Sequence, residues 1–310
     1  MLRNSFVPTL FFVLLSSSGL CQQVWPVKLQ KEYSKSYPVS TETVALLHKY
    51  GSMKIETWDK NEVTVDAKIS VGAQSNEYAG KMLERINVAD EKKTDRIEFR
   101  TEFGDRSGVW SDDNMGGYEM HIDWTVHMPA NAKLQAENDY GSLTLGDYRG
   151  EASLLCRYGT LTAGKLANCR EIVSEFGKVM IESVSDSKLL FRYSRIDIGK
   201  LSGTIKAEMQ NCNSVDLALD NSLKQLDLKS SYTSLYLLVP KDLSADYDIT
   251  TVNARLSSKA ELPIKEDTKE PTAAVRQVVY TSNHHYAGSL GKGGNTQLLI
   301  KSNFGNIRIL

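Results

Sequence analysis

The sequence has little of what usually announces a chemistry. Its 37 basic and 38 acidic residues leave a formal net charge of −1, so no global field selects nucleic acid or an anionic membrane. Its four cysteines show no C-x-x-C spacing, which removes the common zinc-site signatures. Neither G-x-S-x-G nor H-E-x-x-H occurs, so the nucleophile elbow and the zincin helix are absent as motifs. Gly288-x-x-Gly291-Lys292 is no phosphate loop, because two residues separate its glycines, Gly293 follows the lysine, and a strand comes next. It reads as a hairpin turn. Beyond the N-terminus, no apolar run approaches the ~20 residues needed to cross a bilayer as a helix.

What is present begins with a signal. Arg3 precedes an apolar run, Phe6 to Leu15, and then small polar residues from Ser16 to Gly19. This predicts a secretory signal peptide over residues 1–21, with cleavage after Gly19 or Cys21. Cys21 is also the candidate for a lipid anchor, against which the bulk of Leu20 counts. Export implies the periplasm, the outer-membrane surface or the extracellular space. Cys156, Cys169 and Cys212 then remain. Cys156, two residues before Tyr158, and Cys212, in the aromatic slot of its repeat, read as small apolar core residues, with a disulfide between two of the three as the alternative in an oxidising compartment.

Residues 22–40, polar and carrying Pro26 and Pro38, read as a linker. A β region follows over 41–130, interrupted by one helix between Gln74 and Asp90. There Tyr78, Met82, Leu83 and Ile86 form an apolar stripe, and the helix is expected to cover an end or edge of the sheets. Gly104 to Gly117 is a polar loop, Lys265 to Pro271 a charged one, and Val275 to Tyr280 a strand.

The organising feature is a repeat. Tyr140-Gly141-Ser142-Leu143-Thr144-Leu145 recurs at Tyr158, Phe176, Tyr193, Cys212 and Tyr232, in steps of 18, 18, 17, 19 and 20 residues, with outlying copies at Tyr50 and Phe304. Three and five residues after each start stand Leu143, Leu161, Val179, Ile196, Val215 and Leu235, then Leu145, Ala163, Ile181, Ile198, Leu217 and Leu237, all apolar. The positions between are mostly polar. Such a period of two means a strand packed on one face. A second short strand in each repeat, such as Ala152 to Cys156, completes a unit too small to close a sheet alone. The expected fold is therefore all-β, a single-stranded β-helix or solenoid over 131–310, with a β-sandwich or meander as the alternative.

The outward positions make the candidate binding face: Ser142, Thr160, Lys178, Arg195, Ser214 and Ser234 in one row, and Thr144, Thr162, Asp197, Asp216 and Tyr236 in the next. Asp197 and Asp216 beside Arg195 are the nearest approach to a catalytic set, and a surface ion pair accounts for them more simply. His121, Asp123 and His127 share one face, but the two histidines lie ~20 Å apart along an extended strand, too far for one ion. His284 and His285 sit together in a loop. Neither group makes a metal site, and no cofactor is expected.

Tyr50-Gly51-Ser52-Met53-Lys54-Ile55-Glu56-Thr57-Trp58-Asp59-Lys60-Asn61-Glu62-Val63, the repeated rungs, and Gly293-Gly294-Asn295 through Gly305-Asn306-Ile307-Arg308-Ile309 resemble the bacterial putative-adhesin family. Its members are secreted or envelope proteins related to auto-transporter adhesin head domains. The resemblance covers about Leu46 to Leu310, departing at the helix and at the 104–117 loop. It implies a single-stranded β-helix outside the cytoplasm with no known catalytic residues. The signal peptide, the solenoid and the missing catalytic set together give the expected function, a non-enzymatic envelope protein whose long face binds a surface glycan or an envelope protein. The alternatives are an enzyme acting on polysaccharide across the same face, and a periplasmic scaffold.

Overall fold

The computed structural model describes residues 25–104, 117–259, 264, 266 and 283–310. The signal peptide and Cys21, most of the 104–117 and 265–271 loops, and the strand expected over 275–280 lie outside them.

Except for one helix, the described elements are strands. The N-terminal part comprises β1 (Val27–Pro38), β2 (Thr43–Lys49), β3 (Met53–Trp58), β4 (Glu62–Ala73), α1 (Asn76–Arg85), β5 (Ile86–Lys92), β6 (Arg96–Phe103) and β7 (Tyr118–Pro129). The repeats supply β8 (Lys133–Asp139), β9 (Ser142–Leu145), β10 (Ala152–Arg157), β11 (Thr160–Leu166) and β12 (Cys169–Glu175). Three long strands follow: β13 (Lys178–Arg192), β14 (Arg195–Gln210) and β15 (Ser214–Ser231). The chain ends with β16 (Ser234–Leu238), β17 (Ala245–Val252), β18 (Arg255–Ser258), β19 (Asn283–Leu290), β20 (Thr296–Asn303) and β21 (Asn306–Ile309).

Alternation places the core. All twelve apolar residues at the third and fifth positions after each repeat start are buried. Each repeat contributes to two parallel ladders. The motif strands pair in register, Leu143 with Leu161, Leu161 with Val179, Val179 with Ile196 and Ile196 with Val215. The second strands do the same, Leu154 with Ile172, Ile172 with Leu189, Leu189 with Ala207 and Ala207 with Leu228. The long strands β13, β14 and β15 serve both ladders, their first halves in one and their second halves in the other.

Spatial order departs from chain order at both ends. The β2–β3 pair lies between β6–β7 and β8–β9. The β20–β21 pair lies between β15–β16 and β17–β18. Antiparallel strands finish the system, with β5 on β6, β1 and β4 continuing from β7, and β19 on β17.

Four expectations are corrected. Residues 22–40 are not a linker where they are described: Val27–Pro38 is a strand paired along its whole length with β4, which satisfies the backbone groups that face β4. The helix is shorter than 74–90. Ser75 caps it by accepting from the Tyr78 backbone amide at 3.2 Å, and it stops at Arg85 because Ile86 turns extended to pair with Phe103. Tyr78, Ala79 and Met82 are its buried face, packed on β1 and β4. The glycine-rich turn after Leu290 joins strands that do not pair with one another, since β17 lies between β19 and β20. Finally, Cys212 does not occupy the aromatic slot of its repeat, as the corner geometry below makes plain.

Candidate functional site

The corner before each motif strand is made by a residue with left-handed backbone. Tyr50, Tyr140, Tyr158, Phe176, Tyr193, Asn211, Tyr232, Phe304 and Asn253 all have φ between 49° and 63°, a region that non-glycine residues visit at a cost. The amides of the first eight donate to the carbonyl just before the equivalent corner one rung on, among them Tyr158 to Glu175, Phe176 to Arg192, Tyr193 to Gln210, Asn211 to Ser231 and Tyr232 to Asn303. Asn211 therefore holds the aromatic position, and Cys212 stands where Gly177 and Ser194 stand. One extra residue, Asn213, follows before the strand resumes.

The glycine after the corner is required by close approach. A Cβ on Gly141 would lie 1.8 Å from the Gly51 carbonyl oxygen, and one on Gly159 1.7 Å from that of Gly141. At two corners where another residue replaces the glycine, its hydroxyl bonds back to the chain. Ser194 Oγ donates to the Arg192 carbonyl at 2.7 Å, and Thr233 Oγ1 to that of Ser231 at 2.9 Å. The buried row behind the corner is correspondingly polar, with His48, Asn138 and Ser174; Asn138 Nδ2 donates to the Gly51 carbonyl at 3.2 Å.

Because the corners superpose rung on rung, their rings stack in the open. Centroids lie 5.0 Å apart for Tyr50 and Tyr140, 4.8 Å for Tyr140 and Tyr158, 5.1 Å for Tyr158 and Phe176, and 4.7 Å for Phe176 and Tyr193. The ring planes are within 6° of parallel. Tyr232 and Phe304 continue the column at 4.9 Å. From Tyr140 onward each ring is about half exposed, so solvent meets a column of aromatic edges.

A charged row runs beside it, on the residue before each corner. Lys49, Asp139, Arg157, Glu175 and Arg192 are successive partners in register and alternate in sign. Arg157 Nε donates to Asp139 at 2.7 Å and Arg192 to Glu175 at 2.9 Å, with Lys49 3.9 Å from Asp139. The Asp139 hydrogen bond holds the Arg157 guanidinium more firmly in its charged form. The row then turns neutral at Gln210, Ser231 and Asn303, again successive partners.

The expected binding residues form two aligned rows on the motif strands. Ser142, Thr160, Lys178, Arg195 and Ser214 are successive partners, and Ser234 continues the row opposite Asn306. Thr144, Thr162, Met180, Asp197, Asp216, Tyr236 and Arg308 form the second. None is buried. Arg308 lies over the Tyr236 ring at 5.6 Å, and Ser214 Oγ donates to Asp216 at 3.1 Å. The ion pair expected between Arg195 and Asp197 does not form within 4 Å; the two acids stand side by side on neighbouring rungs.

The histidines serve pairwise contacts. His121 meets Glu119 at 2.8 Å, and His127 meets Glu56 at 3.0 Å while stacking on Trp58. Asp123 accepts from the Ser52 amide at 3.0 Å. His284 meets Glu266 at 2.6 Å and His285 meets Asp248 at 3.2 Å. Among the described residues, no three His, Cys, Asp or Glu side chains cluster to hold a metal ion. Cys156, Cys169 and Cys212 are buried free thiols. Burial pushes Cys156 up to about 11 and Cys169 up to about 12, far from the thiolate range that makes a nucleophile.

Sequence reading finds the outward polar rows but misses the aromatic column as a surface. The signal is there: an aromatic heads most copies, and the residue before it alternates in charge. What local pattern does not tell is that the aromatic, unlike the residues three and five further on, faces solvent.

No family model matches the chain, and no curated protein does. Among solved structures it is similar to a putative adhesin from Bacteroides fragilis NCTC 9343, at 12% identity and a TM-score of 0.37, over 90% of this chain and 97% of that one. It is also similar to a putative lipid binding protein from Parabacteroides distasonis ATCC 8503, at 8% identity and a TM-score of 0.35, over 90% and 96%. A third is a putative cell adhesion protein from Clostridium sporogenes ATCC 15579, at 13% identity and a TM-score of 0.26, over 91% and 99%. Likenesses this distant say nothing of ligand or activity.

Proposed function

We propose that this chain is an exported, non-enzymatic, adhesin-like β-solenoid that binds a surface glycan or an envelope protein along the face carrying the aromatic column and the polar rows beside it. The solenoid reading is supported by parallel pairing at the repeat spacing, where a meander of hairpins would pair neighbours antiparallel. Residues 41–130, with β1, would then close one end of the stack, and β19 on β17 would close the other. The observation that carries the binding reading is the column itself. An ordered row of half-exposed rings is costly to leave in water unless its stacking or a partner compensates, and aromatic side chains dominate the energetics of recognition surfaces.

A polysaccharide-acting enzyme is the rival reading, and only the adjacent Asp197 and Asp216 favour it. The deciding experiment exposes the secreted protein to a glycan array, to envelope proteins in a pull-down and to a polysaccharide cleavage screen. Binding without cleavage is expected. Reproducible cleavage abolished by Asp197→Ala or Asp216→Ala would overturn the proposal.

A further inference from the structure

The aromatic column has one gap, at Asn211. Its backbone keeps the corner geometry and the rung-to-rung hydrogen bonds on both sides, Tyr193 N to the Gln210 carbonyl and Asn211 N to the Ser231 carbonyl, at 3.0 and 2.9 Å. The rungs therefore stay stacked, and Tyr193 and Tyr232 face each other across two strand spacings, about 9.6 Å. That leaves room for one ring. Tyr193 is 53% and Tyr232 60% exposed, against 48% for Tyr158 and Phe176, which have rings on both sides, and 47% for Phe304, which stacks on Tyr232.

Three further changes coincide with the gap. The charged row ends at Arg192, and its next members, Gln210, Ser231 and Asn303, are neutral hydrogen-bonding groups. Those three, together with Glu208, Met209, Lys229, Ser230 and Lys301, line an open surface depression of about 280 Å³ beside the corner. The extra residue of this rung adds the exposed amide of Asn213. The gap is thus flanked by two aromatic side chains and edged by the amides of Asn211, Asn213 and Gln210 and the hydroxyl of Ser231, which both donate and accept, with the charged partners Glu208, Lys229 and Lys301 two residues earlier along their strands.

We propose that this slot takes one pyranose ring of a neutral glycan, its apolar faces against Tyr193 and Tyr232 and its hydroxyls bonded to Asn211, Asn213 and Gln210. The amides give a sugar what a bare aromatic side chain could not use. The inference rests on the adhesin-like reading and names the site within it.

The test is calorimetric titration of the full secreted chain with soluble neutral oligosaccharides of glucose, mannose, galactose and N-acetylglucosamine. At least one should bind. Tyr193→Ala and Tyr232→Ala should each weaken it about tenfold or more, the order of one aromatic contact. Asn211→Ala, which keeps the slot open, should weaken it less. Asn211→Tyr should abolish binding while leaving thermal stability unchanged or raised, because the added ring completes the column. Undiminished binding by Asn211→Tyr would overturn the slot. If only acidic glycans, an aromatic peptide or a protein bind, the slot fails while the broader function stands. If nothing binds in the array, the pull-down or the titration, both fail.

Discussion

The rings of Phe176 and Tyr193 stack 4.7 Å apart with their planes within 2° of parallel, although 17 residues separate them in the chain. The distance is that between neighbouring strands, so the contact reports the rung spacing directly. Stacking of this kind works against the backbone cost of the left-handed corner.

That balance can be measured at Phe176, which has a ring on either side and φ of 54°. Phe176→Ala should lower stability by about 1–2 kcal/mol, two half-exposed aromatic contacts. Phe176→Gly loses the same contacts but relieves a backbone cost of about 1 kcal/mol, so it should be the milder change. Urea unfolding of both variants decides it, and the reverse order would contradict the corner assignment.

Strand register predicts a sharp asymmetry between faces. Ile196 is fully buried between Val179 and Val215, so Ile196→Asp should cost several kcal/mol by burying an unpaired charge. Thr162 lies outward between Thr144 and Met180, and Thr162→Asp should be near neutral. Equal, small losses in thermal melts of the two variants would refute the alternation.

His48 should make the fold sensitive to mild acid. Its ring is buried against Trp124, with Nδ1 3.0 Å from the Thr101 hydroxyl, and burial lowers its pKa to about 4 from an ordinary 6.5. The unfolded chain takes up the proton first, so this contribution is complete above pH 6.5 and is lost as pH falls from there toward 4. It amounts to about 2 kcal/mol by pH 5. His48→Asn, which installs the residue found at Asn138 one rung away, should flatten the stability profile between pH 7 and 5. A profile unchanged by that substitution would rule His48 out as the cause. Glu42 acts lower down: hydrogen bonds from Lys92 and the Ser40 amide hold it at about 2, so its contribution disappears between about pH 4.5 and 2.

Asp139 is the hinge of the charged row, bonded to Arg157 and near Lys49. Asp139→Asn should destabilise by about 1 kcal/mol at low ionic strength, and the difference from wild type should shrink in high salt as the charges are screened. A loss independent of salt would mean that packing, not charge, is at stake there.

Much of this architecture is legible locally. The pattern Leu143, Leu145 inward and Ser142, Thr144 outward follows from alternation, and so does its recurrence at Ile196 and Ile198. Local counting fails where it meets a long-range constraint. Counting back from Val215 at the usual interval puts Cys212 in the aromatic position, but the extra Asn213 breaks that interval; backbone conformation places Asn211 there instead. Asn253-Ala254-Arg255-Leu256 is a further corner without an aromatic to mark it. Val27–Pro38 resembles a linker because lysines, serines and Pro38 crowd it, although Val27, Leu29, Tyr33 and Tyr37 alternate toward the core; its pairing with β4 is a long-range backbone contact.

Local pattern is enough for the all-β class, the repeat length and the face each repeat buries, because these depend on a period of two and on residues close together in the chain. The order of the rungs comes from the folded whole. It sets β2–β3 between β6–β7 and β8–β9, and β20–β21 between β15–β16 and β17–β18, since any strand of matching pattern can satisfy a ladder's hydrogen bonds and only closure of the whole stack chooses among them. The same stacking turns scattered tyrosines and phenylalanines into one column, and one asparagine among them into an opening.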